Sequence, residues 1–479
     1  MKVVEMGEPQ VESPAGKISG ASVGGVSRYL GIPYGKPPVG ELRFALPEPA
    51  DRLSGVFAAT EFGPTPPASM ELPAPYTYPV IEGDNWLTLN VWTPPDAQPG
   101  ADLPVYVWFY GGSFAMGSTA QSLFDGTSFA RDGVVYVSAN YRVGLEGFTH
   151  LPDAPDNRGL HDQILALQWV QDNISAFGGD PKRVTIGGES AGSMSVSTLA
   201  TTKYAGSLFH QVICESGIGV AAPIETAKQA AEPLKAALGL HLTAAALREK
   251  DPREQAAAVA KVLHKLSPHN VLTLFPPVVD NDLVPVNPAS RLNRGPVPVK
   301  MLIGNNQKES DFWRVFGEFV PGEHTLKTLD VLLRPLGVTD PVVTAYKKVY
   351  GDSLSAGEIF LELLSDGAFG GPTYAAQTGQ LENCYAYYFT WPSSIHTKSP
   401  MHTLDLGFAF DNIGDPGFTL YAGDGAPQSL ADDIHGRWLS FIKTGVPGDD
   451  WNPYRSEDDV KVFGPPAARN TDALKAWSY

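Results

Sequence analysis

The sequence predicts an α/β protein built on a central, mostly parallel, twisted sheet with helices on both faces. Three observations carry that expectation. Short apolar runs rich in β-branched and aromatic residues, such as LPVYVWFY at 103–110 and GVVYVSA at 133–139, lack the alternation of a strand with one wet face. Such runs suit strands covered on both sides. They alternate along the chain with segments of helical period, the pattern of strand–helix–strand units. Hydrophobic residues make up 43% of the chain and charged residues 18%, a balance that suits a globular protein with a large core.

The elements follow in order. Residues 16–50 read as a hairpin and then a Pro/Gly-rich surface segment, GIPYGKPPVGELRF at 31–44. WLTLNVWT at 86–93 alternates like a half-buried strand. The runs at 103–110 and 133–139 are buried strands. DNRGLHDQILALQWVQDNIS at 156–175 places Ile164, Leu165, Leu167, Trp169 and Val170 on one side of a helix. Residues 182–187 and 210–214 are further strands. Ala, Lys and Glu dominate 222–265, so helices are expected there, laid over or beside the sheet. PVPVKMLIG at 296–304 returns to strand, 324–381 is helical, and CYAYYFTW at 384–391 is strand. LADDIHGRWLSFIKTG is an amphipathic helix stopped by Gly445. A chain of 479 residues exceeds the usual domain size, but large α/β enzymes with insertions reach it. One domain over 1–479 is expected, with helical insertions around 222–265 and 324–381.

Charge and composition narrow the function classes. A net charge of −17 argues against nucleic acid or an anionic membrane as partner. No stretch approaches the roughly 18 apolar residues of a membrane span, and MKVVEMGEPQVESPAGK lacks the apolar run of a signal peptide. The two cysteines, Cys214 and Cys384, make no disulfide framework. A reducing, cytoplasmic location follows as an expectation. The chain has no H-E-x-x-H, no G-x-x-x-x-G-K-[ST] and no G-x-G-x-x-G, so no metal or cofactor is expected. A small-molecule substrate and a monomer are the matching expectations.

The chemistry concentrates at KRVTIGGESAGSMSVS, residues 182–197. A buried strand meets a tight turn holding Gly188, Glu189, Ser190, Ala191 and Gly192, and a helix follows. This is the setting of a nucleophilic serine: the sharp turn lifts the hydroxyl out of the sheet, and the helix points its positive end at the site. GASVG at 20–24 matches the same pentapeptide, but it lies between short strands with no helix after it, so Ser22 lacks the elbow. A serine hydrolase needs an oxyanion hole, a base and an orienting acid. The amide of Ala191 supplies one donor. VYVWFYGGSFAMGS supplies the Gly-rich loop after an earlier strand, with Gly112 and Ser113 amides as donors and Gly111 giving freedom. The base must follow Ser190 in the chain; of the histidines there, His402 in PMHTLDLGFAF is the leading candidate and His396 its rival. Glu309, with Asp311 as competitor, follows the strand at 296–304. Phe114, Phe312, Trp313 and Phe408 are candidates to wall a substrate pocket.

These segments together resemble the type-B carboxylesterase/cholinesterase family of α/β-hydrolases, in family order and over nearly the whole chain. GIPYGKPPVGELRF, LNVWTP, VWFYGGSF, SANYRVG, NRGLHDQILALQWVQDNISAFGGDP, VTIGGESAG and the FAF after His402 carry the likeness. The family places its histidine six residues before the first Phe of F-x-F; His402 stands at that spacing from Phe408, which favours it over His396. Its acid is a Glu five residues after the glycine ending a strand, and Gly304 to Glu309 fits. The resemblance implies a Ser190–His402–Glu309 triad that hydrolyses carboxylic esters through an acyl-enzyme, without cofactor. Tyr110, Ser113 and Ser310 depart from common family residues. Trp86 stands where the family's N-terminal disulfide loop has a cysteine, which suits an intracellular bacterial-type enzyme. The same machinery serves carbamates, amides or polyesters, and a non-enzymatic binding protein is the rival from another class.

Overall fold

The computed structural model describes residues 8–263, 274–280, 282–316 and 338–477. The chain opens with β1 (Gln10–Ser13) and β2 (Gly16–Ser19), which β5 (Val56–Ala58) later joins in a three-stranded sheet. Between them, β3 (Ala21–Val23) and β4 (Val26–Pro33) form a hairpin that turns on Gly24 and Gly25, both at positive φ. Ser22 is exposed on this hairpin.

The main sheet adds β6 (Thr88–Thr93), β7 (Leu103–Phe109), β8 (Val135–Ala139), β9 (Gly179–Glu189), β10 (Gln211–Glu215), β11 (Lys300–Asn306), β12 (Cys384–Phe389) and β13 (Lys461–Phe463). Its ten strands run in the order β13-β12-β11-β10-β9-β7-β8-β6-β4-β3. Neighbours from β13 to β8 are parallel, and β8, β6, β4 and β3 pair antiparallel. The apolar runs read from the sequence become the buried interior. Val105, Val107, Val135, Val137, Ile186 and Ile213 have no exposed surface. Burial on both faces, rather than alternation, is what a sheet clad in helices requires.

The strand expected at 296–304 starts later, at Lys300. Pro296 and Pro298 have no N–H to give to the ladder, so pairing begins beyond them. β9 is longer than expected because its first residue, Gly179, pairs with Leu103. The helix Arg158–Asn173 buries most of its circumference, Leu160 and Ala166 as well as the expected stripe. Its packing is fixed by Asp162, which accepts from Arg142 Nη2 at 2.7 Å with both side chains fully buried. The helix Gln428–Thr444 ends at Gly445, whose φ of 76° is the left-handed cap read from the sequence.

Within 222–265 lie the helices Ile224–Leu238, Ala244–Arg248 and Pro252–Leu263; residues 264–265 fall outside the described ones. Within 324–381 lie Asp340–Tyr350, Ala356–Ser365 and Gly371–Gly379, and 324–337 fall outside. Cys214 on β10 and Cys384 on β12 are both buried and free, on strands separated by β11. Among the described residues no helix is long and apolar enough to cross a membrane.

Candidate active site

Ser190 sits between the end of β9 and the helix Ala191–Leu199, with φ 56° and ψ −124°. A non-glycine residue in this region is strained, and the surroundings must hold it there. They do so by close packing. A Cβ on Gly192 would fall 1.9 Å from the Phe109 carbonyl oxygen, and one on Gly188 would fall 2.4 Å from the Gly192 carbonyl carbon. Only glycine fits either position. The Ser190 N–H donates to Glu215 O at 2.9 Å, pinning the turn to β10.

His402 and Glu309 come from loops after β12 and β11. His402 Nδ1 lies 2.6 Å from Glu309 Oε2, with both side chains buried. Glu309 Oε1 accepts the Asn306 N–H at 2.6 Å, which aims the carboxylate. Asp311 instead pairs with Arg314 at 2.9 Å. His396 is exposed, with Nε2 2.9 Å from Leu420 O and 3.2 Å from the Tyr76 hydroxyl. His402 Nε2 lies 3.1 Å from Glu189 Oε1, but the alignment makes no hydrogen bond, and that oxygen has no hydrogen-bond partner among the described residues. No hydrogen bond joins Ser190 Oγ to His402 in this geometry.

Gly111, Gly112 and Ser113 follow β7 and line the same cavity as Ser190 and His402. Gly112, Ser113 and Phe114 have successive positive φ values of 121°, 54° and 57°, which curl the loop. Its fold is closed by Ala115 and Met116 amides donating to Gly112 O, at 2.9 and 3.1 Å. The amides of Gly111, Gly112, Ser113 and Ala191 donate to no acceptor among the described residues. Unspent backbone donors beside a strained serine are the raw material of an oxyanion hole.

A match to the carboxylesterase family spans residues 7–465. The chain belongs to the carboxylesterase family. It is 33% identical to the para-nitrobenzyl esterase of Bacillus subtilis (strain 168), over 93% of this chain and 93% of that protein. It is 30% identical to the phenmedipham hydrolase of Pseudarthrobacter oxydans, over 95% of each. Among solved structures, a carboxylesterase of Geobacillus stearothermophilus superimposes with a TM-score of 0.83 at 30% identity, covering 98% of this chain and all of that one. The fold is that of the α/β-hydrolases, and the protein is a carboxylic ester hydrolase.

The esterase's cavity measures about 1040 Å³. Phe312 and Trp313 line it and pack on His402, with ring centroids 5.7 and 6.3 Å away. Phe114 and Phe408 do not line it. Phe114 packs on Phe148 at 4.5 Å, and Phe408 is fully buried against Phe389, Trp391 and Phe418. Both serve the core, where most aromatics go. Further lining comes from segments with no catalytic signature: Tyr76 and Tyr78 in a Pro-rich loop, Ala257, Ala260 and Lys261 on the helix Pro252–Leu263, and Tyr421. A proline-rich stretch signals an ordered surface loop but not what it covers.

Sequence reasoning also missed two buried acids in this carboxylesterase, Asp405 and Glu215, which lie in one buried layer with Glu189. Asp405 accepts from Asn306 Nδ2 at 3.1 Å and from the Tyr387 hydroxyl at 3.0 Å; burial, aided by nearby Glu309, pushes its pKa to about 6. Burial raises the carboxyl of Glu215, with a hydrogen bond from Trp438 Nε1 at 3.1 Å opposing. Burial pushes Glu189 up to about 8, against the pull of His402. At His402 burial acts downward, but Glu189 and Glu309 outweigh it and hold the imidazole at about 9.

Proposed function

We propose that this esterase works through Ser190 as nucleophile, His402 as base and Glu309 as orienting acid, with an acyl-enzyme intermediate. One observation carries the reading: the 2.6 Å contact between His402 Nδ1 and Glu309 Oε2, made at the cavity that also opens onto the strained Ser190. His402 rotates its free Nε2 from the Glu189 side to Ser190 Oγ and takes the proton as Oγ attacks the ester carbonyl. The carbonyl oxygen, now an oxyanion, accepts from the amides of Gly112, Ser113 and Ala191, with Gly111 letting the loop approach. One such donor contributes about 3 kcal/mol in a protease. Glu309 holds the imidazole tautomer and stabilises the imidazolium. His402 then protonates the leaving alkoxide, and the alcohol departs. In the second half it draws a proton from water, which attacks the acyl carbonyl; the tetrahedral adduct then expels Ser190 Oγ, which takes that proton back from His402, and the acid is freed.

The volume and aromatic walls of the cavity suit an ester with a bulky, apolar group on at least one side. The decisive experiment is peptide mass spectrometry after treatment with a fluorophosphonate. A single adduct on the peptide carrying Ser190 is expected. An adduct elsewhere, or none with active protein, overturns the assignment. A panel of aryl esters, aliphatic esters, carbamates and amides then orders the bonds cleaved, with esters expected first.

A further inference from the structure

The helix Ala356–Ser365 runs into a wider turn of π-helix at Asp366–Gly370 and then into the helix Gly371–Gly379. A π-turn carries an extra residue that re-aims the side chains beyond it, and it persists only where something is gained. Here the residue it delivers is Phe369, fully buried, with its ring centroid 4.5 Å from that of His402 and tilted by 37°. Trp313 lies nearly parallel to both, at 25° to Phe369 and 12° to the imidazole. Phe369 does not line the cavity, so it touches the histidine from behind. The turn is held at its start by Asp366, which accepts from the Tyr346 hydroxyl; Tyr346 in turn accepts from Trp477 Nε1 at 3.0 Å. A Cβ on Gly370 would meet Asp366 Oδ1 at 2.2 Å, so a side chain there would displace the Asp366 carboxylate.

The same unit grips the loop that carries Glu309. Ser310 donates its N–H to Ser365 Oγ at 2.9 Å and its hydroxyl to Leu361 O at 3.0 Å, and Ser365 returns its own hydroxyl to Ser310 Oγ at 3.0 Å. Lys308, on the other side of Glu309, pairs with Glu362. Further along, Gln377 Nε2 donates to Ile303 O in β11 at 2.7 Å. One helical unit therefore clasps both neighbours of the acid and lays an aromatic ring on the base.

We propose that the helix Ala356–Ser365 and its π-turn form a positioning element that sets Glu309 and His402 relative to each other, with Ser365 fixing the acid's loop and Phe369 fixing the imidazole. The inference rests on the triad reading. Phe369 also sets an aromatic ring 4.5 Å from the imidazolium that forms during the reaction, within reach of a cation–π attraction that a leucine of similar volume lacks.

The test uses the full chain and p-nitrophenyl butyrate. Phe369→Leu and Ser365→Ala are each expected to lower kcat about 3- to 10-fold with KM within twofold. Each should move the acid limb of the kcat/KM profile down by about half a unit to one unit, because the imidazolium loses support. The double variant is expected to lose less than the product of the single losses, since one element serves both contacts. If Phe369→Leu fails to fold, Ser365→Ala alone decides. An unmoved acid limb, a rise in KM at constant kcat, or strict additivity overturns the proposal. His402→Gln separates the two claims. If it is inactive while the positioning variants behave as wild type, only this inference falls. If it keeps substantial turnover, the triad reading falls, and this inference with it.

Discussion

Glu189 Oε1 stands 3.1 Å from His402 Nε2, while Glu309 Oε2 stands 2.6 Å from Nδ1 of the same ring. The imidazole is flanked by two buried carboxylates, and the serine it would serve makes no hydrogen bond to it. Glu309 is aligned, with its second oxygen tied to the backbone. Glu189 is close but misaligned, and burial pushes its carboxyl up to about 8, so the charge it lends the ring grows as pH rises. This asymmetry suits a ring held firmly at Nδ1 and free to turn its other nitrogen.

The first consequence concerns pH. With Glu189 and Glu309 holding His402 up at about 9, the ring keeps its proton to higher pH than a free histidine, and only the deprotonated ring can accept the serine proton. Esterase activity should rise through the alkaline range, with an apparent pKa well above the ordinary 6.5. A kcat/KM profile from pH 5.5 to 10 checks this; a plateau already reached by pH 7 would count against it. The sign for stability is fixed too. A folded pKa raised above 6.5 adds stability that is whole below 6.5 and lost as pH rises toward about 9. Thermal unfolding across that window reads the loss.

Glu189→Gln removes the first of the groups that raise His402. The acid limb should move down by about a unit or more, so relative activity at pH 6 to 7 should rise. The same measurement that shows an unmoved limb would assign Glu189 a purely structural role.

Ser190→Ala should cost roughly 10⁴-fold or more in kcat with an unchanged melting temperature, whereas Ser22→Ala should change neither. Ser22 lies exposed on a hairpin and has no part in the cavity. Retained turnover in the first variant would discard Ser190 as nucleophile.

Gly111→Ala tests the proposed oxyanion loop. Its new Cβ would fall 2.7 Å from Glu189 O and 2.9 Å from Ser190 Cβ. The loop or the elbow must shift, so kcat should fall about 10²-fold or more. Overpacking should also cost about 1–3 kcal/mol of stability, read by urea unfolding.

The two cysteines offer a simple check of the core. Burial pushes the Cys384 thiol up to about 12 and raises Cys214 further. Neither should react with Ellman's reagent in the native protein, and both should react in denaturant. A thiol that titrates without denaturant would place that strand nearer the surface.

Much of this molecule was readable because its signals are local. Buried strands declare themselves by unbroken apolar runs, and Gly445 declares a helix end through the one backbone conformation it tolerates best. The elbow declared itself because Gly188 and Gly192 are demanded by contacts with the turn and the neighbouring strand end. His402 and Glu309 were harder. Spacing alone left His396 and Asp311 in play, and family resemblance rather than local physics chose between them.

What sequence alone determined is therefore the order of strands and helices, the strained turn at Ser190 and the Gly-rich loop ahead of it, since backbone sterics and short-range periodicity dictate each. Tertiary structure alone decided that Glu189 faces His402, that Phe114 and Phe408 belong to the core while Tyr76, Tyr78 and Tyr421 line the cavity, and that a π-turn brings Phe369 to the imidazole. These are contacts between segments far apart in the chain. No local pattern encodes them, because an aromatic or a carboxylate looks the same in sequence whether packing turns it toward a cavity or away from it.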